Sequence, residues 1–175
     1  ITTTGTCSLA TPVSLAHGGT GYAAQTTVVQ RVLGTSATMG TTATAMPDDD
    51  TIPQIGEGAE ITTAVIAPKN SANLLEIEAV AWLGINANDS AVCGIFKDAD
   101  ANALAGGNVN SPASGNPLQM VVKHSMTAAT TSNITFRLRC GPNNGANTLT
   151  WNGVGGVRKL GGVLLSSIRV LEFAQ

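Results

Sequence analysis

The stretch Ile134-Thr135-Phe136-Arg137-Leu138-Arg139-Cys140 alternates apolar and polar side chains without interruption. Successive side chains of a β-strand point to opposite faces, so this alternation predicts a strand with one buried and one solvated face. The next five residues, Gly141-Pro142-Asn143-Asn144-Gly145, are of the types that favour a turn. A strand closed by a turn is therefore the unit from which the fold is predicted.

The same unit recurs on both sides of this stretch. In residues 74–86 one face is apolar throughout, and the opposite face changes from Glu76 and Glu78 to Val80 and Trp82. We predict strands at residues 60–67, 74–86, 91–97, 103–105, 118–126, 133–140, 148–151 and 162–173. About eight antiparallel strands with no helical pattern between them predict an all-β fold, a jelly-roll-like antiparallel β-sandwich.

Residues 1–47 have a different character, being rich in Thr, Ala and Gly. Such a segment buries too little apolar area to offset its own ordering entropy, unless several copies wrap together. Residues 24–33 carry valines at helix-like spacing before Gly34, which predicts a weak, self-associating helical turn. Residues 48–61 begin with three carboxylates and contain Pro53, which favours turning over pairing. We therefore predict an extended shaft or attachment arm at 1–47 and a head at 48–175.

The composition limits the classes of partner. Charged residues make up 11% of the chain and the net charge is −2, so no basic surface for nucleic acid is expected. No apolar run approaches the roughly 20 residues of a membrane-spanning helix. A surface so poor in charge is expected to be rich in Thr and Asn or to be covered by other subunits.

The three cysteines, Cys7, Cys93 and Cys140, have no metal-binding spacing. Cys93 and Cys140 lie in apolar runs, as small buried hydrophobes do. We therefore expect unpaired thiols in a chain that folds in a reducing cytosol, and stability that does not respond to reductant.

Candidate catalytic and metal-binding motifs are weak. His17-Gly18-Gly19-Thr20-Gly21 is not followed by the Gly-Lys-Ser/Thr of a phosphate loop, and no Gly-x-Ser-x-Gly elbow occurs. Asp98, Asp100 and Asn102 have the oxygen spacing that begins a calcium loop, but Ala103 and Val109 replace the expected Gly and Glu. A polar turn is the alternative interpretation of these three residues. We expect no enzyme activity, no cofactor and no metal.

The loops are the expected binding sites, because the strands are committed to the sandwich. Asn and Asp side chains in turns can hydrogen-bond sugar hydroxyls, and Trp151 offers a flat stacking face, whereas Trp82 is expected in the core. The alternative for each loop is that Asn and Asp are there because turns favour them. The predicted receptor-binding residues are Asp98, Asp100, Asn102, Asn143, Asn144, Trp151 and Asn152.

A set of turn and strand motifs resembles a known family. The motifs are Pro12-Val13-Ser14-Leu15 before Gly18-Gly19-Thr20-Gly21, Asp49-Asp50-Thr51-Ile52-Pro53-Gln54, Phe96-Lys97-Asp98, Thr135-Phe136-Arg137-Leu138-Arg139 and Ser166-Ser167-Ile168-Arg169-Val170-Leu171-Glu172. In this order they resemble bacteriophage tail-fibre and virion-appendage proteins with a Gly-Gly-Thr-Gly junction and a carboxy-terminal β head. The resemblance implies a homotrimer with intertwined amino-terminal segments, and it supplies no catalytic residues.

The function expected from this resemblance is that of a virion structural protein, assembled in the host cytoplasm. It would be a trimeric tail fibre or spike whose head binds a host surface receptor, a glycan being the expected class, while the amino-terminal segment binds other virion proteins. The main alternative is a capsid decoration protein or head fibre anchored through its amino-terminal arm. A bacterial surface adhesin and a glycan-cleaving spike enzyme are the remaining classes.

Overall fold

A computed structural model describes residues 27–175, and within them the fold is all-β with no α-helix. The strands are β1 (Val28–Ser36), β2 (Gly40–Thr42), β3 (Ala59–Ile66), β4 (Leu74–Ile85), β5 (Asp89–Lys97), β6 (Ala105–Ser111), β7 (Pro117–Thr127), β8 (Ile134–Pro142), β9 (Leu149–Trp151), β10 (Gly153–Val154), β11 (Val157–Arg158) and β12 (Ser166–Phe173). A short 3-10 turn, Leu160–Gly162, precedes β12. In this part of the chain, no helix has the length and apolar character needed to cross a membrane.

The strands form two antiparallel sheets. The first has the order β1-β12-β4-β7. Next to the carboxy-terminal residues of β4, β9 takes the place of β12 and β2 takes the place of β1. The second has the order β3-β8-β5-β6, and β10 and β11 form a separate small hairpin. Two four-stranded sheets in this order form a jelly roll, so the predicted β-sandwich is confirmed.

The core lies between the sheets and follows the predicted alternation. The apolar face of β4 and the Ile134, Phe136, Leu138 and Cys140 face of β8 are both buried in it. At one edge of the sandwich the backbone of β1 passes close to that of β3. Gly34 permits this approach, because a Cβ on this residue would overlap the backbone carbonyl of Thr63. Fully burying each large apolar side chain stabilises the fold by about 1.5–3 kcal/mol.

The segment predicted as a domain boundary instead covers the outer face of the second sheet. We call residues 46–58 the strap. Met46 is fully buried in a small cluster with Val92 and Phe96, which point outward from β5. Arg139 donates hydrogen bonds from its guanidinium to the backbone carbonyls of the last two strap residues, at 2.9 and 3.0 Å. The strap is therefore part of the head.

The helical turn predicted at residues 24–33 is wrong for its described part. Residues 28–36 form β1, which pairs along its length with β12, and β2 pairs with β9. Thr and Val give this segment a low helix propensity, and pairing with a sheet edge satisfies its backbone instead. Residues 28–36 and 40–42 of the stretch assigned to an arm thus contribute strands to the head. The Gly-Gly-Thr-Gly junction and Cys7 lie outside the described residues.

Cys93 and Cys140 form a disulfide, so the prediction of unpaired thiols is wrong for these two residues. They lie directly opposite each other on β5 and β8, with their Cα atoms 4.1 Å apart and both side chains fully buried. Their position in apolar runs correctly predicted that both cysteines are buried. It carried no information about register, and the register makes them partners.

Candidate functional site

The predicted binding residues fall at two opposite ends of the sandwich. We call the end that holds residues 67–73, 98–104 and 128–133 the arm end, because Thr27 lies there and its carbonyl accepts a hydrogen bond from Ala174 N. The loop end holds residues 86–88, 112–116 and 143–148. The nine residues of β5 separate the two ends by roughly 27 Å. Asp98, Asp100 and Asn102 therefore cannot share a site with the other candidates.

The Asp98 turn at the arm end is tied into the fold. Asp98 accepts a hydrogen bond from Thr135 N at 2.8 Å and donates one from its own backbone N–H to the Thr135 carbonyl at 2.7 Å. The Lys97 ammonium lies 3.3 Å from the Asp98 carboxylate and 3.1 Å from that of Asp100. The hydrogen bond to Asp100 raises the pKa of Lys97, partly opposed by burial. Asn102 accepts a hydrogen bond from the Gln54 amide at 3.0 Å.

These contacts favour the polar-turn interpretation over the calcium loop. A lysine ammonium occupies the two carboxylates that would begin such a loop. Within residues 27–175, no group of three or more His, Cys, Asp or Glu side chains is arranged to hold a metal ion.

At the loop end, Asn143 and Asn144 surround the buried carboxylate of Asp89. Asp89 accepts hydrogen bonds from the side chains of Asn147 and Asn143 and from the backbone N–H groups of Asn144 and Ser90, at 2.8 to 3.3 Å. Burial raises the pKa of Asp89, but these bonds, led by that from Asn147, bring the pKa below its ordinary value. The two predicted asparagines thus have a structural role in holding this loop, and Asn144 is also exposed.

Trp151 and Asn152 have structural roles too. Trp151 is half-buried and packs against Gly40, where a Cβ would overlap the indole ring. Asn152 is fully buried, and its amide nitrogen donates to the carbonyls of Ser36 and Thr38 at 2.7 and 3.1 Å. Its amide oxygen accepts from the Ser166 hydroxyl at 2.7 Å. Receptor contact by Asn152 was therefore a wrong prediction, because this side chain has no exposed atom to offer.

A groove on the outer face of the first sheet was not predicted. Trp82 is half-buried there instead of lying in the core, and it lines a largely apolar groove of about 350 Å³. The other lining residues include Pro117 and Leu118 of β7 and Val154, Leu160 and Leu164 of the connection to β12. The sequence held a signal for it, because Val80 and Trp82 are apolar on the β4 face that starts with Glu76.

An ion-pair row crosses the same outer face. The Glu78 carboxylate lies 2.9 Å from the Lys123 ammonium on β7 and 3.0 Å from the Arg169 guanidinium on β12. The hydrogen bond from Lys123 lowers the pKa of Glu78, opposed by burial and assisted by the charge of Arg169. The row links β12, β4 and β7, because Glu78 forms an ion pair with a basic side chain on each neighbouring strand.

Comparisons with known proteins give distant fold neighbours. No protein-family model matches the chain, and no curated protein matches it. A solved structure described as "Structure of Eiger TNF from S. frugiperda" is similar over 83% of this chain and 94% of its own, with a TM-score of 0.48 and 8% identity. One described as "CBM4 structure and function" is similar over 65% of this chain and 88% of its own, with a TM-score of 0.28 and 12% identity. The strand order establishes the jelly-roll sandwich, and these likenesses add no function to it.

Proposed function

We propose that this chain is a non-catalytic attachment protein of a bacteriophage virion. It would be an oligomeric fibre or spike, a trimer by its sequence resemblance, whose jelly-roll head binds a host surface molecule, with a glycan as the expected class. Its amino-terminal arm would hold other virion proteins.

The observation that carries the proposal is the division of the head into two ends. Residues 1–26 join the head at Thr27, beside the last residues of β12. The loops at 86–88, 112–116 and 143–148 lie at the far end, roughly 27 Å away. A head held by its arm therefore presents the loop end outward, with exposed polar residues such as Asn88 and Ser114.

The disulfide supports a location outside the cell. Disulfides persist in oxidising surroundings and are rare in the cytosol. A particle assembled in the cytoplasm and then released would meet such surroundings, so the Cys93–Cys140 bond agrees with a virion protein.

Attachment to host cells tests the proposal with two matched variants. Asn88→Arg/Ser114→Arg changes exposed loop-end residues whose side chains make no hydrogen bond in the described structure, and Thr131→Arg/Asn133→Arg does the same at the arm end. We expect the loop-end variant to lose at least tenfold in binding to cells of the infected strain, and the arm-end variant to bind like the unchanged protein. Unchanged thermal melting would show that both variants fold.

The opposite result would favour the decoration protein. If the loop-end variant binds cells normally, or if the protein does not bind cells at all, the attachment function fails. Labelled protein located on the capsid shell would then identify the chain as a capsid decoration protein or head fibre.

A further inference from the structure

An apolar ridge lies beside the Trp82 groove. We use this name for residues 157–165, which include the 3-10 turn and lead into β12. Four of its large apolar side chains are exposed: Val157 at 57%, Leu160 at 70%, Val163 at 80% and Leu165 at 42%. Leu160 also forms one wall of the groove. A cluster of exposed apolar side chains on a folded domain is typical of an interaction site.

The charged residues of the protein are distributed unevenly around this ridge. Those that lie on the ridge or on the outer face of the first sheet are Arg31, Lys123, Arg158, Lys159 and Arg169, together with Glu76 and Glu78. The strand residues among them point outward, because their neighbours Val32, Val122 and Ile168 are directed into the core. This surface therefore carries a net charge of +3, and the rest of the chain carries −5, since the total is −2. Such a basic patch on an acidic protein attracts a negatively charged partner.

The cations lie close enough to the apolar side chains to act on the same partner. Lys159 precedes Leu160 in the ridge and lines the Trp82 groove with it. Arg158 and Lys159 have no carboxylate within ion-pair distance in the part of the chain that the structure describes. The ion-pair row on the sheet contains two cations and one carboxylate, so it too is net positive. The partner of this surface is therefore expected to combine apolar groups with negative charge.

The interface of an anionic lipid bilayer fits this combination better than three other classes of partner. A second copy seated here would bring its own basic ridge against a surface that is already positive, and like charges repel. The aliphatic side chains of the ridge offer no donors or acceptors to the hydroxyl groups of a glycan. A nucleic acid would pair with the cations but would leave the apolar side chains without an apolar partner. A bilayer supplies acyl chains for the apolar side chains and phosphate groups for Lys and Arg.

We propose that the apolar ridge and the basic residues around it form a docking surface for an anionic lipid bilayer. The aliphatic side chains of the ridge enter the region between headgroups and acyl chains, while Arg158 and Lys159 stay at the level of the phosphates. The protein rests on the membrane without crossing it. The ridge leads into Ser166, at the end of β12 far from Thr27, so a head held by its arm carries the ridge on its forward half. Docking goes beyond the receptor contact of the loop end and does not depend on it.

Co-sedimentation with vesicles tests the docking surface without any host. The unchanged full chain should bind vesicles made of equal parts of phosphatidylglycerol and phosphatidylcholine. Its binding to vesicles of phosphatidylcholine alone should be at least tenfold weaker, because these offer no net negative charge to the basic residues. Binding to the anionic vesicles should fall as salt is raised, because salt screens the headgroup charges.

Two matched pairs of variants locate the surface. Val163→Asp places a charge on the ridge, and Val65→Asp places one at an exposed valine on the outer face of the second sheet. Lys159→Glu reverses a charge on the ridge, and Lys69→Glu reverses one at an exposed lysine between β3 and β4. We expect Val163→Asp and Lys159→Glu to weaken vesicle binding at least tenfold, and both control variants to bind like the unchanged protein. Unchanged thermal melting would show that all four variants fold.

Tryptophan quenching gives a second readout, which reports where the bilayer lies. The chain has two tryptophans, so in a Trp151→Phe background the emission comes from Trp82. We expect vesicles with brominated acyl chains to quench this emission, because the Trp82 groove adjoins the ridge. Vesicle binding without quenching would place the contact elsewhere and would overturn the proposal.

Failure of the unchanged chain to bind anionic vesicles would overturn the proposal, and so would equal binding by Val163→Asp and Val65→Asp. If the unchanged chain instead self-associated and Val163→Asp stayed monomeric, the occupant of the ridge would be a second copy. Host-cell binding that depends on Asn88 and Ser114 would survive either result, so the two proposals fail separately.

Discussion

Buried polar side chains hold the long connections of this protein in place. Asn152 uses both ends of its amide to join residues 36–38 to β12, and it adopts a positive φ of 53° that few residue types tolerate. The Asp89 carboxylate holds residues 143–147 in place by accepting hydrogen bonds from them. Sequence predicted that Asn and Asp would occupy turns. It did not show that these particular side chains point inward, because that depends on distant partners such as Ser36 for Asn152 and Asn143 for Asp89, each more than 50 positions away.

Asp89 gives a prediction for acid stability. Its folded pKa is lowered, so its contribution is complete above the unfolded pKa near 3.8 and is lost as pH falls through the lower folded value. Asp89→Asn replaces one carboxylate oxygen with an NH2 group, which then faces N–H groups that donate hydrogen bonds to Asp89 in the unchanged protein. We expect this variant to lose about 1–3 kcal/mol at pH 7 and to show a shallower loss of stability below pH 4.

Chemical denaturation at pH 7 and across the acidic range measures both effects. Asp50→Asn is the control, since Asp50 is exposed and its side chain makes no hydrogen bond in the described structure. Equal stability of the two variants at pH 7 would show that the Asp89 hydrogen bonds contribute nothing.

Among the elements, β4 and β8 were the easiest to predict. Both alternate over at least seven residues, and the structure buries the predicted faces. β1 was mistaken for a helix because Val28, Val29, Val32 and Leu33 have helical spacing, whereas in the strand Val32 packs on the core and Leu33 faces outward. The strap was mistaken for a boundary because its carboxylates and Pro53 describe a turn-rich segment without revealing that Met46 anchors it on Phe96. The alternation of apolar and polar residues therefore identified these strands, but it did not show that the strap covers the outer face of the second sheet.

The β5–β8 disulfide gives a prediction at the scale of paired strands. The bond closes a loop with a sequence separation of 47 residues, and such a constraint contributes about 2–4 kcal/mol. We expect protein unfolded and refolded with reductant to melt roughly 5–15 °C below the oxidised protein. Calorimetry on both forms measures the shift.

Two variants separate the bond from the packing of its sulfurs. Cys93→Ala/Cys140→Ala should melt at or below the temperature of the reduced protein and should not respond to reductant. Cys7→Ser should keep the full response. A melting temperature that is the same with and without reductant would mean that the bond does not stabilise the head.

At the scale of the whole molecule, the sequence indicated a sandwich but not which loops share an end. Asp98 and Asn143 were grouped by composition, and the path of β5 and β8 places them at opposite ends. Contact between the two sheets, or between strap and sheet, depends on register and on long-range pairing. A single sequence records neither.

The placement of Thr27 also has a mechanical consequence. β1 starts at the arm end and runs toward the loop end, paired with β12 along its length. If the proposed function holds, a virion pulled by its arm while a cell holds the loop end would load β1 lengthwise, and the hydrogen bonds of this ladder would share the load. Pulling between residues 27 and 175, which leave the head at the same end, peels β1 from β12 one bond at a time. We expect single-molecule stretching between residues 27 and 114 to require a markedly larger force than stretching between 27 and 175, and equal forces would mean that β1 does not bear the load.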